Sequence, residues 1–168
     1  MTTPTPTGSV VDGARGPEVR LTRTFTATID EVWAAVTESD RLERWIGRWE
    51  GDPSTGRLTF FMTAEGDSVE GETVTITECD PPRAFAADTS VGEQTWHLRL
   101  ALDSADGVTT LTFSQVLDDN DLASVGPGWE FYLDRLAASL RGDDATQVDW
   151  NEYFPAMSEY YSALTPRP

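Results

Sequence analysis

The chain has 168 residues, 39% of them apolar, with six Trp, enough for one domain with a sizeable core. A formal net charge of -17 repels phosphate backbones and anionic lipid heads, which argues against nucleic acid and membrane as partners. A single cysteine, Cys79, excludes an internal disulfide framework.

Residues 1–17 are rich in Thr, Pro and Gly and lack apolar periodicity, so a disordered tail is expected there. They show no basic flank followed by an apolar core. No signal peptide is therefore expected, and the expected location is cytoplasmic. Glu18 to Thr28 alternates Val19, Leu21, Arg23 and Phe25 against Arg20, Thr22 and Thr24, the pattern of a strand with one face inward. Asp30 then caps a predicted helix carrying Val32, Trp33 and Val36, and a second short helix is expected over Asp40–Trp45.

Six further strands are expected: Ile46–Glu50, Arg57–Ala64, Val69–Cys79, Arg83–Thr89, Glu93–Leu102 and Val108–Leu117. Phe60 and Met62 share one face of their strand. Val74 and Ile76 point inward on theirs, as do Trp96 and Leu98, and Phe113 and Gln115, on the later strands. The connections are tight, which favours an antiparallel meander over a parallel sheet.

Pro127–Gly142 carries the strongest helix pattern. Trp129, Tyr132, Leu133, Leu136, Ala137 and Leu140 repeat at i, i+3, i+4 and i+7, while Glu130, Asp134, Arg135 and Arg141 fall elsewhere on the wheel. Asp121 or Ser124 can cap its start, and Gly142 is the expected stop. After an acidic linker, Trp150, Tyr153, Phe154, Met157, Tyr160, Tyr161 and Leu164 mark an amphipathic tail helix packing on the domain. The expected division is a tail at 1–17, a domain at 18–142, and the linker and tail helix at 143–168.

The expected fold class is α+β: a helix-grip, with a curved antiparallel sheet around a long C-terminal helix and two short helices after strand one. That order resembles the START-like superfamily, which includes polyketide cyclases, birch-pollen allergens and lipid-transfer domains. Within it the chain resembles the branch named after the activator of the heat-shock-protein-90 ATPase. Val32-Trp33, Leu42 and Trp45 match the front pattern, Pro82-Arg83 the middle one, and Gly128-Trp129 the opening of the last helix. The resemblance covers about Glu18 to Arg141. It implies a fold that hosts carriers, cyclases, hydrolases and regulators.

A helix gripped by a concave sheet leaves an inner space. Its candidate ligand-binding residues are Phe60, Met62, Trp96, Leu98, Phe113, Gln115, Trp129, Tyr132, Leu133 and Leu136. The same residues would equally serve as plain core. Gln115 needs a buried partner, which a ligand, a neighbouring strand, Tyr132 or water could supply. His97 should face away from the core, and one His with one Cys is too few for a zinc site. Asp118 to Asp121 reads as a solvated loop leading into a helix, and Cys79 as a half-buried strand end.

The expected function is binding of a small apolar or amphipathic molecule, with no cofactor. Two alternatives stay open. One is a cyclase- or hydrolase-like enzyme in which Gln115, Tyr132 and Arg83 polarise the substrate. The other is an interaction module meeting a protein partner, or a second copy, through the aromatic tail.

Overall fold

The computed structural model describes residues 3–65, 70–91, 93–118 and 120–164. Its strands are β1 (Ser9–Gly13), β2 (Gly16–Phe25), β3 (Arg48–Glu50), β4 (Arg57–Phe61), β5 (Glu72–Asp80), β6 (Ala84–Val91), β7 (Gln94–Ala105) and β8 (Val108–Val116). Its helices are α1 (Ile29–Thr37), α2 (Ser39–Leu42), α3 (Leu122–Leu140) and α4 (Ser158–Leu164). The strands form one curved antiparallel sheet in the order β1-β2-β8-β7-β6-β5-β4-β3. From β3 to β8 this is a meander, and α1 and α2 carry the chain from β2 to the opposite edge. The architecture is the helix-grip expected from the element order.

Alternation fixes the register. Val19, Leu21 and Phe25 of β2 are buried, and β2 runs beside β8 with Leu21 opposite Phe113 and Val19 opposite Gln115. The first helix is capped two residues earlier than expected: Thr28, not Asp30, accepts the Glu31 amide at 3.2 Å. The fourth predicted strand begins at Glu72 rather than Val69: Glu70 and Gly71 lie ahead of it, and Val69 falls outside the described residues.

The expectation of disorder over 1–17 fails for residues 9–17. Ser9–Gly13 forms a hairpin with β2, turning at Gly16, whose φ of +115° only glycine adopts easily. Val10 and Val11 are too short a signal against the surrounding Thr and Pro. Backbone pairing with the otherwise bare edge of β2 makes the strand.

The long helix starts at Leu122, ahead of the predicted Pro127, with Asp121 as its cap accepting the Ala123 amide at 3.2 Å. Pro127 therefore lies inside the helix. It has no N–H for the carbonyl of Ala123, and the Ser158 hydroxyl donates to that carbonyl at 2.9 Å instead.

Two charged residues assigned to the outer wheel are buried. Glu130 is 1% exposed and Arg135 8% exposed. Glu130 accepts from the Tyr161 hydroxyl, from the Thr7 amide at 2.6 Å, from the Gly8 amide at 3.1 Å and from Arg23 at 2.7 Å. Burial pushes its carboxyl pKa up, but these donors outweigh burial and hold it below the ordinary value. Asp134 extends the network, accepting from Arg23 at 3.0 Å and from the Tyr153 hydroxyl at 2.6 Å.

The tail folds back onto this face of α3. Tyr153, Met157 and Tyr161 are buried, whereas Trp150 and Tyr160 stay exposed. No helix among the described residues is long and apolar enough to cross a membrane.

Candidate ligand-binding cavity

The core is filled at one end of the sheet and open at the other. Val19, Leu21 and Leu111 on β2 and β8 are fully buried beneath α3, with Leu133 and Leu136 against them. Farther along the sheet, the inward residues Phe60, Val74, Ile76, Leu98 and Leu100 are only half-buried. The helix covers β2 and β8, while the α1–α2 bracket spans the rest at a distance. Between them lies a cavity of about 1160 Å³.

Arg135 fixes this separation. Its guanidinium donates to the Trp45 carbonyl at 2.8 Å and to the Ala145 carbonyl at 3.0 Å, tying bracket and tail to α3. Burial pulls its pKa down from the usual arginine value, though it stays a cation.

Nine of the ten predicted residues line the cavity: Phe60, Met62, Trp96, Leu98, Phe113, Trp129, Tyr132, Leu133 and Leu136. Gln115 does not. It is fully buried behind Trp129, whose indole N–H donates to its Oε1 at 2.6 Å. Its Nε2 has no partner among the described residues. The partner of Gln115 is thus a side chain of α3 that also lines the cavity. The residues of the catalytic alternative do not converge: Gln115 lies behind Trp129, and Arg83 is exposed in the turn between β5 and β6.

Trp33 of α1, Trp45 just after α2, Trp49 of β3 and Trp150 of the tail, not among the predicted wall residues, complete it. All six tryptophans of the chain therefore face one cavity. Abundant Trp in a chain this small was the available signal. Four of the indole N–H groups are already used: Trp45 donates to the Ala35 carbonyl, Trp49 to the Thr37 carbonyl, Trp129 to Gln115 and Trp96 to Gln94. Those rings offer a guest apolar area and π density rather than donors.

Several hydroxyl and amide donors on the wall are engaged as well. Thr37 donates to the Trp33 carbonyl, Ser124 to Asp121, Thr89 to Glu72, and Asn120 Nδ2 to the Leu117 carbonyl. Asn120 Oδ1 is buried without a partner among the described residues. The acidic wall residues are Glu38, Glu72 and Asp121, and the one lining arginine, Arg99, is engaged with Glu78 at 2.9 Å. Glu72 was missed although it keeps period two with Val74 and Ile76, which marks it as inward.

His97 lies on the opposite sheet face, as expected. The acid absent from its local sequence comes from the adjacent strand, where Asp88 sits 2.7 Å from its Nδ1. Cys79 is exposed rather than half-buried.

The family model for activator of Hsp90 ATPase homolog 1-like proteins matches residues 26–141. Among solved structures, CalU16 from Micromonospora echinospora is 24% identical, with a TM-score of 0.71 over 95% of this chain and 96% of that one. A conserved protein of unknown function from Enterococcus faecalis is 16% identical, with a TM-score of 0.70 over 95% and 92%. DynU16, from the dynemicin biosynthetic locus, is 22% identical, with a TM-score of 0.65 over 76% of this chain and 49% of that one. At these identities the likeness is one of fold. No curated protein matches the chain significantly.

Proposed function

Because the chain belongs to the family of activator of Hsp90 ATPase homolog 1-like proteins, we propose that its sheet–helix cavity binds a small apolar or amphipathic molecule. The observation that carries this reading is the cavity itself: about 1160 Å³, walled by six tryptophans and by half-buried aliphatic side chains. That is at or above the ~300–1,000 Å³ usual for small-molecule sites. A core that needed only to be packed would not leave so many large side chains half-covered, since close packing is worth more than a void.

The test is to denature the purified protein and identify co-released compounds by mass spectrometry. The emptied protein is then titrated with a panel of lipids, polyketides and polycyclic aromatics. A ligand at a hundredfold excess over its dissociation constant adds about 2.7 kcal/mol. At roughly 2–4 °C per kcal/mol, the melting temperature should rise by about 5–11 °C. Ile76→Trp, which fills part of the wall, should cancel that rise. No released compound and no shift across the panel would overturn the reading.

A further inference from the structure

We infer that the molecule taken into this cavity carries a protonated amine, received by the Glu72 carboxylate on the wall beside Phe60. The inference rests on the cavity being a ligand site and names the chemistry of its guest.

Strand register sets up the arrangement. Phe60 of β4 stands opposite Glu72 of β5, and Thr89 of β6 stands opposite Trp96 of β7. The Thr89 hydroxyl, almost fully buried, donates to Glu72 Oε2 at 3.3 Å and joins the two pairs. The two pairs are offset by a two-residue step, since Thr89 stands opposite Val74, and all four residues line the cavity. A carboxylate thus stands in a largely apolar wall, with Phe60 directly across from it on the neighbouring strand.

Charge and hydrogen-bond balance then select the guest. The acidic wall groups outnumber the one arginine, which is already engaged with a carboxylate of the opposite sign. The chain as a whole carries -17. A carboxylate-bearing guest such as a fatty acid meets repulsion, while a cation is drawn in. Tryptophan is the best side chain for holding a cation over its face, and four indole N–H groups are turned away to protein acceptors. The complement of such a wall is an apolar body bearing donors and positive charge.

The experiment uses three probes with one body: 9-(aminomethyl)anthracene, 9-anthracenemethanol and anthracene-9-carboxylate. Binding is read by quenching of tryptophan fluorescence, in high salt to screen the outer surface. The amine should bind at least about tenfold tighter than the alcohol, as a charge-assisted hydrogen bond allows, and the carboxylate most weakly. Glu72→Gln should bring amine and alcohol within about threefold of each other. Reading the ratio separates lost recognition from a general loss of fold, and circular dichroism of the variant checks the fold independently.

If the alcohol binds and the amine binds no tighter, the inference is overturned while the cavity reading stands. An amine preference that survives in Glu72→Gln overturns the role of Glu72. Should none of the three bind, the inference falls, and the ligand panel above decides whether the cavity reading falls with it.

Discussion

Gly126 and Gly128 lie two residues apart in α3, and replacing each by alanine should have opposite effects. A Cβ on Gly126 would sit 2.3 Å from Cγ and Cδ1 of Tyr161 and 2.6 Å from its Cδ2. Carbon atoms pack at about 3.5–4.0 Å, so the ring would have to retreat by more than an ångström. It cannot do so alone, because Tyr161 is fully buried and its hydroxyl is bonded to Glu130 and to the Gly8 amide. The new methyl therefore loosens α4 or distorts α3. Overpacking of this kind costs about 1–3 kcal/mol, and part of the ~1.5–3 kcal/mol from burying an aromatic side chain is lost with it. Against this, Gly→Ala in a helix interior gains about 1 kcal/mol. The net expectation for Gly126→Ala is a loss of about 2 kcal/mol, or roughly 4–8 °C in melting temperature. A Cβ on Gly128 meets nothing within 4 Å, so Gly128→Ala should gain up to about 1 kcal/mol. Thermal and urea unfolding of both variants measures the difference. If Gly126→Ala proved as stable as Gly128→Ala, the tight seating of Tyr161 on α3 would be refuted.

Three further outcomes follow from the same geometry. The carboxyl of Glu130 is held below its ordinary value, so its stabilisation is complete at neutral pH and lost as pH falls through the carboxylate range. Glu130→Gln should cost about 3 kcal/mol at pH 7 and lose less than the wild type on acidification, as read by urea unfolding at pH 7 and pH 4; parallel losses would contradict this. Trp129→Phe leaves the buried Oε1 of Gln115 without its donor and should cost at least about 1–3 kcal/mol, whereas the double variant with Gln115→Met should recover part of it, which a double-mutant cycle would show. Ser158→Ala removes the donor to the carbonyl left open by Pro127, and in this half-buried setting should cost about 1 kcal/mol in the unfolding midpoint.

What could be read in advance was whatever depends on local period. Leu133 and Leu136 declare the inner face of α3 by spacing alone, and the alternation of Val19, Leu21 and Phe25 fixes the inner face of β2. Arg23 falls in that same alternation, and an inward arginine demands a carboxylate. That demand was legible, but its answer was not: Glu130 lies 107 residues away, and a helical wheel records polarity rather than partners. β1 escaped notice because its order comes from pairing with β2, not from its own side chains. The wall residues were legible by alternation. The cavity was not, since whether a concave face is filled depends on how far α1 and α2 stand from it, which Arg135 sets through two backbone carbonyls distant in sequence. Glu72 was within reach of the same period-two argument as Val74 and Ile76.

Glu130 draws partners from both ends of the chain, Thr7 lying 123 residues before it and Tyr161 31 residues after it. A ribosome delivers these in order. The sheet and the start of α3 can associate while synthesis proceeds, because their mutual contacts are already available. The carboxylate of Glu130 enters its final surroundings only after the Tyr161 ring arrives, and the backbone of Gly8, held between Tyr160 and Tyr161, is fixed in the same event. Thr7 and Gly8, made before any strand of the sheet, are therefore among the last residues to settle. Their docking is a step taken after α4 has left the ribosome, and the nascent chain must keep an unsheltered carboxylate on α3 until then.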